Sequence, residues 1–423
     1  MTSSSAAARP VRVPRFQGRT RGLLNSPVAT YYLLATVTAL LIGIGLVMVL
    51  SASMIVSINS TSGSPYTVFI SQLIFAVIGL IALVAAARTP LAVWARLGGV
   101  ALVVTVVLQL LVFTPLGTGV QGNRNWLDLK VLTIQPSELG KIALVLFGAR
   151  VLTQKRRVLG VFKEAIVPFV FPAATLVLLL VMLGRDLGTA IVLAALVAGM
   201  IFAAGVRLRW FGAAGLGGLV LLTAATMSSG NRLARIGIWL NPDQCVPANE
   251  RLYYDICRQP VHAKFALADG GWTGTGLGAG KEKWQWLSEP HNDFIFAVIG
   301  EEIGLIGTLV ILALFAAFAY AAYRLVVRSD DFFVRIAATG VMTWIVVQAI
   351  INIGAVIGTL PIIGVPLPFV SSGGSSLITS MAAAGMLLAF ARAEPGCAEQ
   401  LAARPRMVRG ASTVLAPWRR RRG

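Results

Sequence analysis

The chain has 423 residues, of which 57% are hydrophobic and only 13% charged, with a mean hydropathy of +0.79. This composition excludes a soluble globular enzyme and predicts an all-α polytopic membrane protein. The formal net charge of +19 could suggest nucleic acid. The basic residues lie in short loops and tails, however, where anionic lipid headgroups are the nearer partner, so we expect membrane lipids and no nucleic acid.

Apolar segments long enough to cross about 30 Å of hydrocarbon as helices recur along the chain. They cover residues 30–51, 67–87, 97–113, 137–153, 166–183, 188–205, 211–227, 294–320, 333–354 and 373–391. We therefore expect about ten transmembrane helices within residues 30–392. Residues 1–29 are rich in Ser, Ala and Arg without a cleavage-site pattern, which predicts a disordered basic tail and no signal peptide. Residues 393–423 form a second basic tail.

The distribution of basic residues predicts the orientation of these helices. Lys and Arg accumulate in cytoplasmic segments, and most of the 36 basic residues fall in segments that are inside when the N-terminus is inside. Both termini are then cytoplasmic, because the number of spans is even. The long loop of about residues 228–290, which precedes the eighth helix, is extracytoplasmic.

The cysteines divide between the two sides of the membrane. Cys245 and Cys257 share the long outer loop, whereas Cys397 lies in the cytoplasmic tail. A disulfide between the first two is allowed in that compartment, and two unpaired thiols are the alternative. Only His262 is close to them in sequence, so four zinc ligands are not assembled here.

A glycine-rich segment, GGWTGTGLGAG at residues 270–280, follows in the same loop and runs into Lys281 and Lys283. Glycines let main-chain N–H groups approach a phosphate. The segment lacks the Walker A pattern, because Thr275 stands where the first glycine belongs and Glu282 follows the lysine. The segment either contacts an anion such as pyrophosphate or only forms a tight turn at the membrane surface, and the sequence leaves both alternatives open.

Several charged residues lie within or beside the predicted spans, where burial in hydrocarbon is costly. Glu138 and Lys141 are three residues apart on one helix face, which predicts an internal ion pair that fixes helix packing. Arg185, in a tight outer turn, either faces an anionic headgroup or pairs with its neighbour Asp186 in solvent. Arg124 and Lys130 are expected at the outer membrane interface.

The segment LSEPHNDFIFAVIGEEIG, residues 287–304, places the carboxylate of Asp293 where an apolar helix meets a polar loop. Ser288-Glu289-Pro290 is typical of a helix start, so we expect His291 and Asp293 in the first turn. A base at this boundary between membrane and water is suited to an enzyme whose substrate is polar and anchored to lipid. The helix dipole alone also favours an acid there.

Glu301 and Glu302 follow Asp293 by eight and nine residues in the same predicted span. This spacing places them about 12 Å deeper along a helix. They are too deep to be catalytic partners for a substrate headgroup, so we expect them to bond to neighbouring helices.

Four ordered motifs resemble one known family: GNRNW…IQPSELGKIAL, ADGGWTGTGLGAGK, WLSEPHNDFIFAVIGEEIG and LPFVSSGGSSL. They are similar to those of the SEDS family of shape, elongation, division and sporulation proteins, which polymerise peptidoglycan glycan strands from lipid II. The resemblance runs from about Ala29 to Phe390. Gly300, the arginines at 232 and 235, and Asn241 resemble the cell-division members, which implies septal wall synthesis at the plasma membrane. An elongation polymerase is the alternative within the family.

The resemblance implies a role for Asp293 as the essential aspartate and for Glu138 and Lys141 as a buried pair. Asp293 would deprotonate an acceptor 4-hydroxyl, which attacks the donor's muramyl carbon with inversion and forms a β-1,4 bond. Undecaprenyl pyrophosphate leaves, and its charge needs cations. The candidates are Arg124, Lys130, Arg185, Lys281, Lys283 and His291.

A divalent cation, Mg²⁺ or Mn²⁺, is left open as a cofactor that would help to hold the pyrophosphate. The family implies a class B penicillin-binding transpeptidase and other division membrane proteins as partners. Two other functions stay open: a lipid II flippase, for which an interrupted span such as 354–368 is suitable, and a non-catalytic division scaffold.

Overall fold

The computed structural model describes residues 26–59, 64–120, 123–128, 133–227, 230–246, 252–284 and 286–403. Within these ranges the chain is mostly helical, as its composition predicts. The helices are α1 (Ala29–Ile58), α2 (Thr67–Arg88), α3 (Leu91–Leu111), α4 (Pro136–Gln154), α5 (Phe162–Ile166), α6 (Thr175–Leu183), α7 (Leu187–Ala203), α8 (Leu208–Met227), α9 (Gly230–Leu240), α10 (Arg258–Gly270), α11 (Ile295–Arg328), α12 (Phe332–Val356), α13 (Gly374–Arg392) and α14 (Cys397–Ala403).

Seven helical stretches in the described ranges are long and apolar enough to cross a bilayer, so the chain is a multi-pass membrane protein. They are α1, α2, α3, the stretch Phe162–Leu183, α11, α12 and α13. The other three predicted segments coincide with α4, α7 and α8. A helix therefore lies at each of the ten apolar segments, while the number of spans and their orientation remain predictions.

The helices form an inner and an outer group. α12 and α13 are mostly buried, whereas α2 and α3 present most of their length outward. Ile81 and Val100, on these outer helices, are 65% and 62% exposed. Apolar side chains on the outside of a membrane protein meet lipid tails, so their exposure carries little cost there.

The all-α prediction is correct for most of the described residues, but residues 117–120, 123–128 and 133–134 form a small antiparallel sheet. Its strands are β1 (Gly117–Val120), β2 (Asn123–Asp128) and β3 (Thr133–Ile134), with β2 in the centre. Along β2, Asn125 and Leu127 are buried, whereas Arg124 and Asp128 are exposed. This alternation is the period-two pattern of a strand with one buried face.

The long loop before α11 has structure of its own. It contains α9, a 3₁₀ turn (Pro242–Gln244), a π-helical turn (Tyr253–Cys257) and α10. Cys245 and Cys257 form a disulfide, with their Cα atoms 5.5 Å apart. The bond ties the turn after α9 to the residues that lead into α10.

α11 is broken at Gly304, where sequence analysis predicts a continuous span. Gly304 has φ +74° and ψ −166°, and a Cβ there would lie 2.4 Å from Gly274 N. The glycine-rich segment enters the break and satisfies the main-chain groups that the helix loses. Thr275 N donates to Glu301 O and Gly276 N to Glu302 O. On the other side of the break, Leu305 N donates to Gly271 O and Ile306 N to Trp272 O. Irregular backbone at membrane depth requires such internal partners.

Candidate active site

The sequence predicts Asp293 in the first turn of a helix, but the residue lies in the turn before α11, because α11 begins at Ile295. Glu289 has φ +53°, a left-handed conformation through which an α-helix cannot continue. Three consecutive carbonyls in this turn accept tertiary hydrogen bonds. Ser372 N donates to His291 O at 2.9 Å, Ser371 Oγ to Asn292 O at 2.7 Å, and Asn352 Nδ2 to Asp293 O at 2.8 Å.

A pocket with about 230 Å³ of empty space lies beside Asp293, and we call it the Asp293 pocket. Its walls come from the end of α12 and from the segment that follows. They comprise Asp293, Phe294, Ile351, Asn352, Ala355, Val356, Ile362, Ile363, Gly364 and Val365. Gly364, with φ +70°, passes close to the carboxylate, since a Cβ there would lie 3.5 Å from Asp293 Oδ2.

The surroundings of Asp293 move its titration towards neutral pH. Burial raises the pKa of its carboxyl from an ordinary 3.8 to about 7, and the neighbouring Glu289 carboxylate also raises it. Arg235 lowers this pKa and Asp186 raises it, both more weakly than burial. A general base is most effective when its pKa lies near the working pH, so this carboxyl is suited to proton abstraction.

Arg235, on α9, is the cation that acts most directly on Asp293. Its guanidinium donates to Ile362 O at 3.4 Å, and Ile362 also lines the Asp293 pocket. Burial lowers the pKa of Arg235 and the Asp293 carboxylate opposes this change. A guanidinium remains charged in proteins, so Arg235 supplies a positive charge at the site.

The N-terminus of α7 brings Arg185 to the same region. Asp186 caps this helix by accepting a hydrogen bond from Thr189 N at 2.9 Å. A Cβ on Gly188 would lie 2.5 Å from Val365 Cγ2, so the first turn of α7 packs against the wall of the Asp293 pocket. Arg185, in the preceding turn, is exposed and can face an anion beside Asp293.

Arg124 lies beside that turn as well. Its main-chain N–H donates to Gly184 O at 3.1 Å, and its guanidinium donates to Thr114 O at 2.7 Å. Of the predicted pyrophosphate-binding residues, Arg124 and Arg185 are thus brought together. Lys130 lies outside the described residues.

Lys283 is not available to a substrate anion. Its ammonium pairs with Glu302 Oε1 at 2.6 Å and donates to Ser51 Oγ at 3.1 Å, and the side chain is only 3% exposed. Ser51 belongs to α1, so Glu302 bonds to a neighbouring helix, as the sequence predicts. Lys281 is exposed, but its main-chain N–H donates to the Glu301 carboxylate, which lies about 9 Å into α11.

The glycine-rich segment lies beside Glu301 and Glu302 on α11, away from Asp293. The N–H groups of Thr275 and Gly276 donate to Glu301 O and Glu302 O at 2.9 and 3.0 Å. These contacts speak against an anion-binding role for the segment and give it a structural one, which is to close the break in α11.

His291 was predicted to help bind the pyrophosphate, but its imidazole lacks the positive charge that this role requires. Burial lowers the pKa of its imidazole, and the Glu289 carboxylate only partly opposes this. The side chain is therefore neutral at pH 7, and it cannot serve as a cation for pyrophosphate. Its Nδ1 is buried and has no hydrogen-bond partner in the part of the chain that the structure describes.

Glu138 and Lys141 form a buried pair in α4, with Nζ and Oε1 2.7 Å apart. Lys141 also donates to Gln348 Oε1 at 2.9 Å, and Thr379 Oγ1 donates to Glu138 Oε2 at 3.1 Å. Gln348 lies on α12 and Thr379 on α13. The pair thus joins three helices through satisfied polar groups, the arrangement that a buried ion pair needs.

Two residues at the site were not predicted from the sequence. Arg235 lies far from Asp293 along the chain, and only the fold brings them together. Asn352 could have been found, because an amide in an apolar helix requires a polar partner. Its Nδ2 bonds both Asp293 O and Val365 O.

The residues at the site do not form a preorganised metal centre. No group of three His, Cys, Asp or Glu side chains within the described ranges is placed to hold a metal ion. Mg²⁺ is commonly held by one or two carboxylates together with substrate phosphates. In that mode most ligands come from the substrate, and the site itself offers the carboxyl groups of Asp293 and its neighbour Glu289.

Comparison with known proteins gives the family. A family model described as "Cell cycle protein", for FtsW, RodA and SpoVE, matches residues 31–395. A Mycobacterium tuberculosis protein named "Probable peptidoglycan glycosyltransferase FtsW" is 37% identical over 373 residues, which are 88% of this chain and 70% of that protein. Stage V sporulation protein E of Bacillus subtilis is 36% identical over 365 residues, covering 85% and 96%.

Solved structures show the same fold. One, titled "Structural coordination of polymerization and crosslinking by a peptidoglycan synthase complex", has a TM-score of 0.66 at 24% identity, covering 86% of this chain and 98% of that one. Thermus thermophilus rod shape determining protein RodA has a TM-score of 0.62 at 22% identity, covering 86% and 96%. From the family match and the identity to these relatives, the chain belongs to the cell cycle protein family of FtsW, RodA and SpoVE.

Proposed function

We propose that this protein is a peptidoglycan glycan-strand polymerase that uses lipid II in septal cell-wall synthesis. The observation that carries the proposal is the Asp293 carboxyl, whose pKa is raised to about 7 beside a pocket at the start of a membrane helix. Relatives named peptidoglycan glycosyltransferase FtsW, which match 81% to 88% of the chain, support the reaction class and the division role.

The proposed reaction is a single displacement. The Asp293 carboxylate takes the proton of the acceptor's 4-hydroxyl, and the hydroxyl oxygen attacks the anomeric carbon of the donor's muramyl sugar. The bond to the pyrophosphate breaks as the β-1,4 bond forms, so the configuration inverts. Pyrophosphate leaves as an anion without needing a proton, and one carboxylate is therefore enough.

The leaving pyrophosphate gains charge as its bond to the sugar breaks, and cations beside it lower the barrier. Arg235, which acts on Asp293, and Arg185, which precedes the helix packed against the pocket wall, are suited to this role. A guanidinium can bond phosphate oxygens in pairs. Arg124 lies beside the turn that carries Arg185. Mg²⁺ or Mn²⁺, if bound, would be held largely by the pyrophosphate itself, and would add to this neutralisation.

The membrane arrangement that fits this chemistry has ten spans, cytoplasmic termini and Asp293 at the outer surface, where the lipid-linked substrate meets water. The related structure titled as a peptidoglycan synthase complex that coordinates polymerization and crosslinking supports a class B penicillin-binding transpeptidase as the partner. Other division membrane proteins are expected at the septum.

Glycan-strand formation from purified lipid II tests the proposal. The protein is purified with its transpeptidase, and wild type is compared with Asp293→Asn in detergent. We expect polymer from wild type and a loss of about 100-fold or more in the variant, the usual size of a general-base effect. A parallel assay of lipid II movement in vesicles separates the flippase function. Movement by wild type without any polymer would reject the polymerase.

A further inference from the structure

A second, larger pocket lies beside the Asp293 pocket, and apart from Arg235 its lining residues have no part in the reaction described above. We call it the outer pocket. It has about 600 Å³ of empty space and is lined by Arg235, Ile238, Trp239, Pro242, Cys245, Ile256, Gln259, Pro260, Val261, Lys264, Ala355, Gly358, Leu360, Pro361 and Ile362. α9, α10 and the segment after α12 form its walls. Ala355 and Ile362 also line the Asp293 pocket, so the two pockets are adjacent.

The charge of the outer pocket is one-sided. Among the described residues that line it, Arg235 and Lys264 are cationic and none is a carboxylate. Lys264 is exposed and has no ion pair or hydrogen bond within the described ranges. Its Cε and Nζ lie next to Gly358, where a Cβ would be 2.9 and 3.5 Å away. An ammonium held at a pocket wall without a carboxylate partner is suited to an incoming anion.

The remaining wall is apolar and held in place. Ile238, Val261 and Leu360 line it, and Trp239 is fixed by a hydrogen bond from its Nε1 to Gly358 O at 3.1 Å. Cys245, a lining residue, is held to α10's entry by its disulfide. Lys264 beside these apolar side chains matches a ligand that carries an acidic group on a partly apolar chain.

The position of the outer pocket points to a part of the substrate beyond the reacting sugar, because Ala355 and Ile362 line both pockets. A lipid-linked disaccharide used for cell-wall synthesis carries a peptide, with free carboxylates, on the muramyl sugar. A sugar that reacts beside Asp293 would place its peptide in the adjacent space.

We propose that the outer pocket binds the acidic peptide of the lipid-linked substrate, with Lys264 pairing with one of its carboxylates. This inference rests on the proposed function and adds a specificity site to it. The enzyme then recognises its substrate by the peptide as well as by the sugars and the pyrophosphate.

The test compares polymerisation of the lipid-linked disaccharide peptide with that of the same lipid-linked disaccharide after amidase removal of the peptide. For wild type, kcat/KM is expected to be higher with the peptide-bearing substrate. Lys264→Gln is expected to reduce this preference by roughly fivefold, the upper range for an exposed ion pair. Arg258→Gln is the matched control, because Arg258 lies on α10 outside the pocket and donates to Trp286 O. It should keep the wild-type preference.

Three results would overturn the assignment. Equal kcat/KM for the two substrates in wild type would show that the peptide is not recognised, while leaving the polymerase intact. An equal loss on both substrates in Lys264→Gln would show that the pocket binds a group they share, such as the pyrophosphate. Absence of polymer from wild type with either substrate would reject the proposed function and this site with it.

Discussion

Asn352 Nδ2 donates to the main-chain carbonyl of Asp293 at 2.8 Å and to that of Val365 at 2.7 Å. Both partners are acceptors, so the amide nitrogen faces them and Oδ1 points away. One buried side chain, 3% exposed, thus joins the turn that carries the proposed base to the wall of its pocket. Asn352 is therefore a positioning residue for Asp293.

Asn352→Ala removes both bonds and leaves two carbonyls unpaired. We expect it to destabilise the protein by about 2 kcal/mol or more, and to let more water reach Asp293, which is partly exposed in wild type. Hydration favours the carboxylate, so the midpoint of the pH–activity profile should fall below 7. Glu289, Arg235 and Asp186, the charged groups that act on Asp293, are unchanged by this substitution.

Gln348→Ala is the control for Asn352→Ala. Gln348 lies one turn earlier on α12, and its Nε2 donates to Pro366 O at 2.9 Å, so it anchors the same segment without bonding the Asp293 turn. It should lower the melting temperature without moving the pH midpoint. Equal pH profiles for the two variants would show that Asn352 acts only on stability.

The activity of wild type should depend on pH through Asp293. Its pKa is raised to about 7, and only the carboxylate can accept a proton. Activity should therefore rise as pH increases through about 7 and be lost below it. The measurement is kcat/KM for polymerisation from pH 5 to 9, which reports groups of the free enzyme. A midpoint near the ordinary value of 3.8 would contradict the buried environment.

Gly304→Ala should destabilise the protein through the break in α11. Gly304 has φ +74°, and a Cβ there would lie within 2.6 Å of the backbone of the glycine-rich segment. We therefore expect the free energy of unfolding to fall by about 2 kcal/mol or more. Gly99→Ala on α3 is the control, since its Cβ would meet nothing within 4 Å. Thermal unfolding in detergent compares them, and similar melting temperatures would argue against the break.

The Lys283–Glu302 pair predicts non-additive stability effects. Lys283→Met leaves a buried carboxylate without its cation and should cost about 3 to 5 kcal/mol. Adding Glu302→Gln removes that charge and keeps an amide that Ser51 can contact. The double variant should then be more stable than Lys283→Met alone. Additive losses of melting temperature would show that the two side chains do not interact.

The fold was predictable from sequence wherever hydrophobic length decides the structure. Helices lie at each of the ten apolar segments, because burying main-chain polar groups in lipid permits little else. The sheet of β1, β2 and β3 was missed, since its strands are short. The break at Gly304 was also missed, because it depends on the glycine-rich segment, which is distant in sequence and inserts its own backbone.

The site was predictable only in part. Asp293 could be chosen from its position between a polar loop and an apolar helix, and Glu138 and Lys141 from their spacing. The sequence could not show which basic residues bind the pyrophosphate, because a residue that is paired with a carboxylate is not available to a substrate anion. Lys283 is paired with Glu302. Arg235 acts on Asp293 from a tertiary contact with Ile362 that no local sequence pattern encodes.

Chemical rescue at position 293 tests the central claim most directly. In Asp293→Cys the new thiol is the only reactive one expected, because Cys397 is buried and the other two cysteines are bonded. Iodoacetate adds a carboxylate to this thiol, whereas iodoacetamide adds a neutral amide of similar size. We predict that iodoacetate restores measurable glycan polymerisation and iodoacetamide does not. Equal activity after the two reagents would contradict a base at this position.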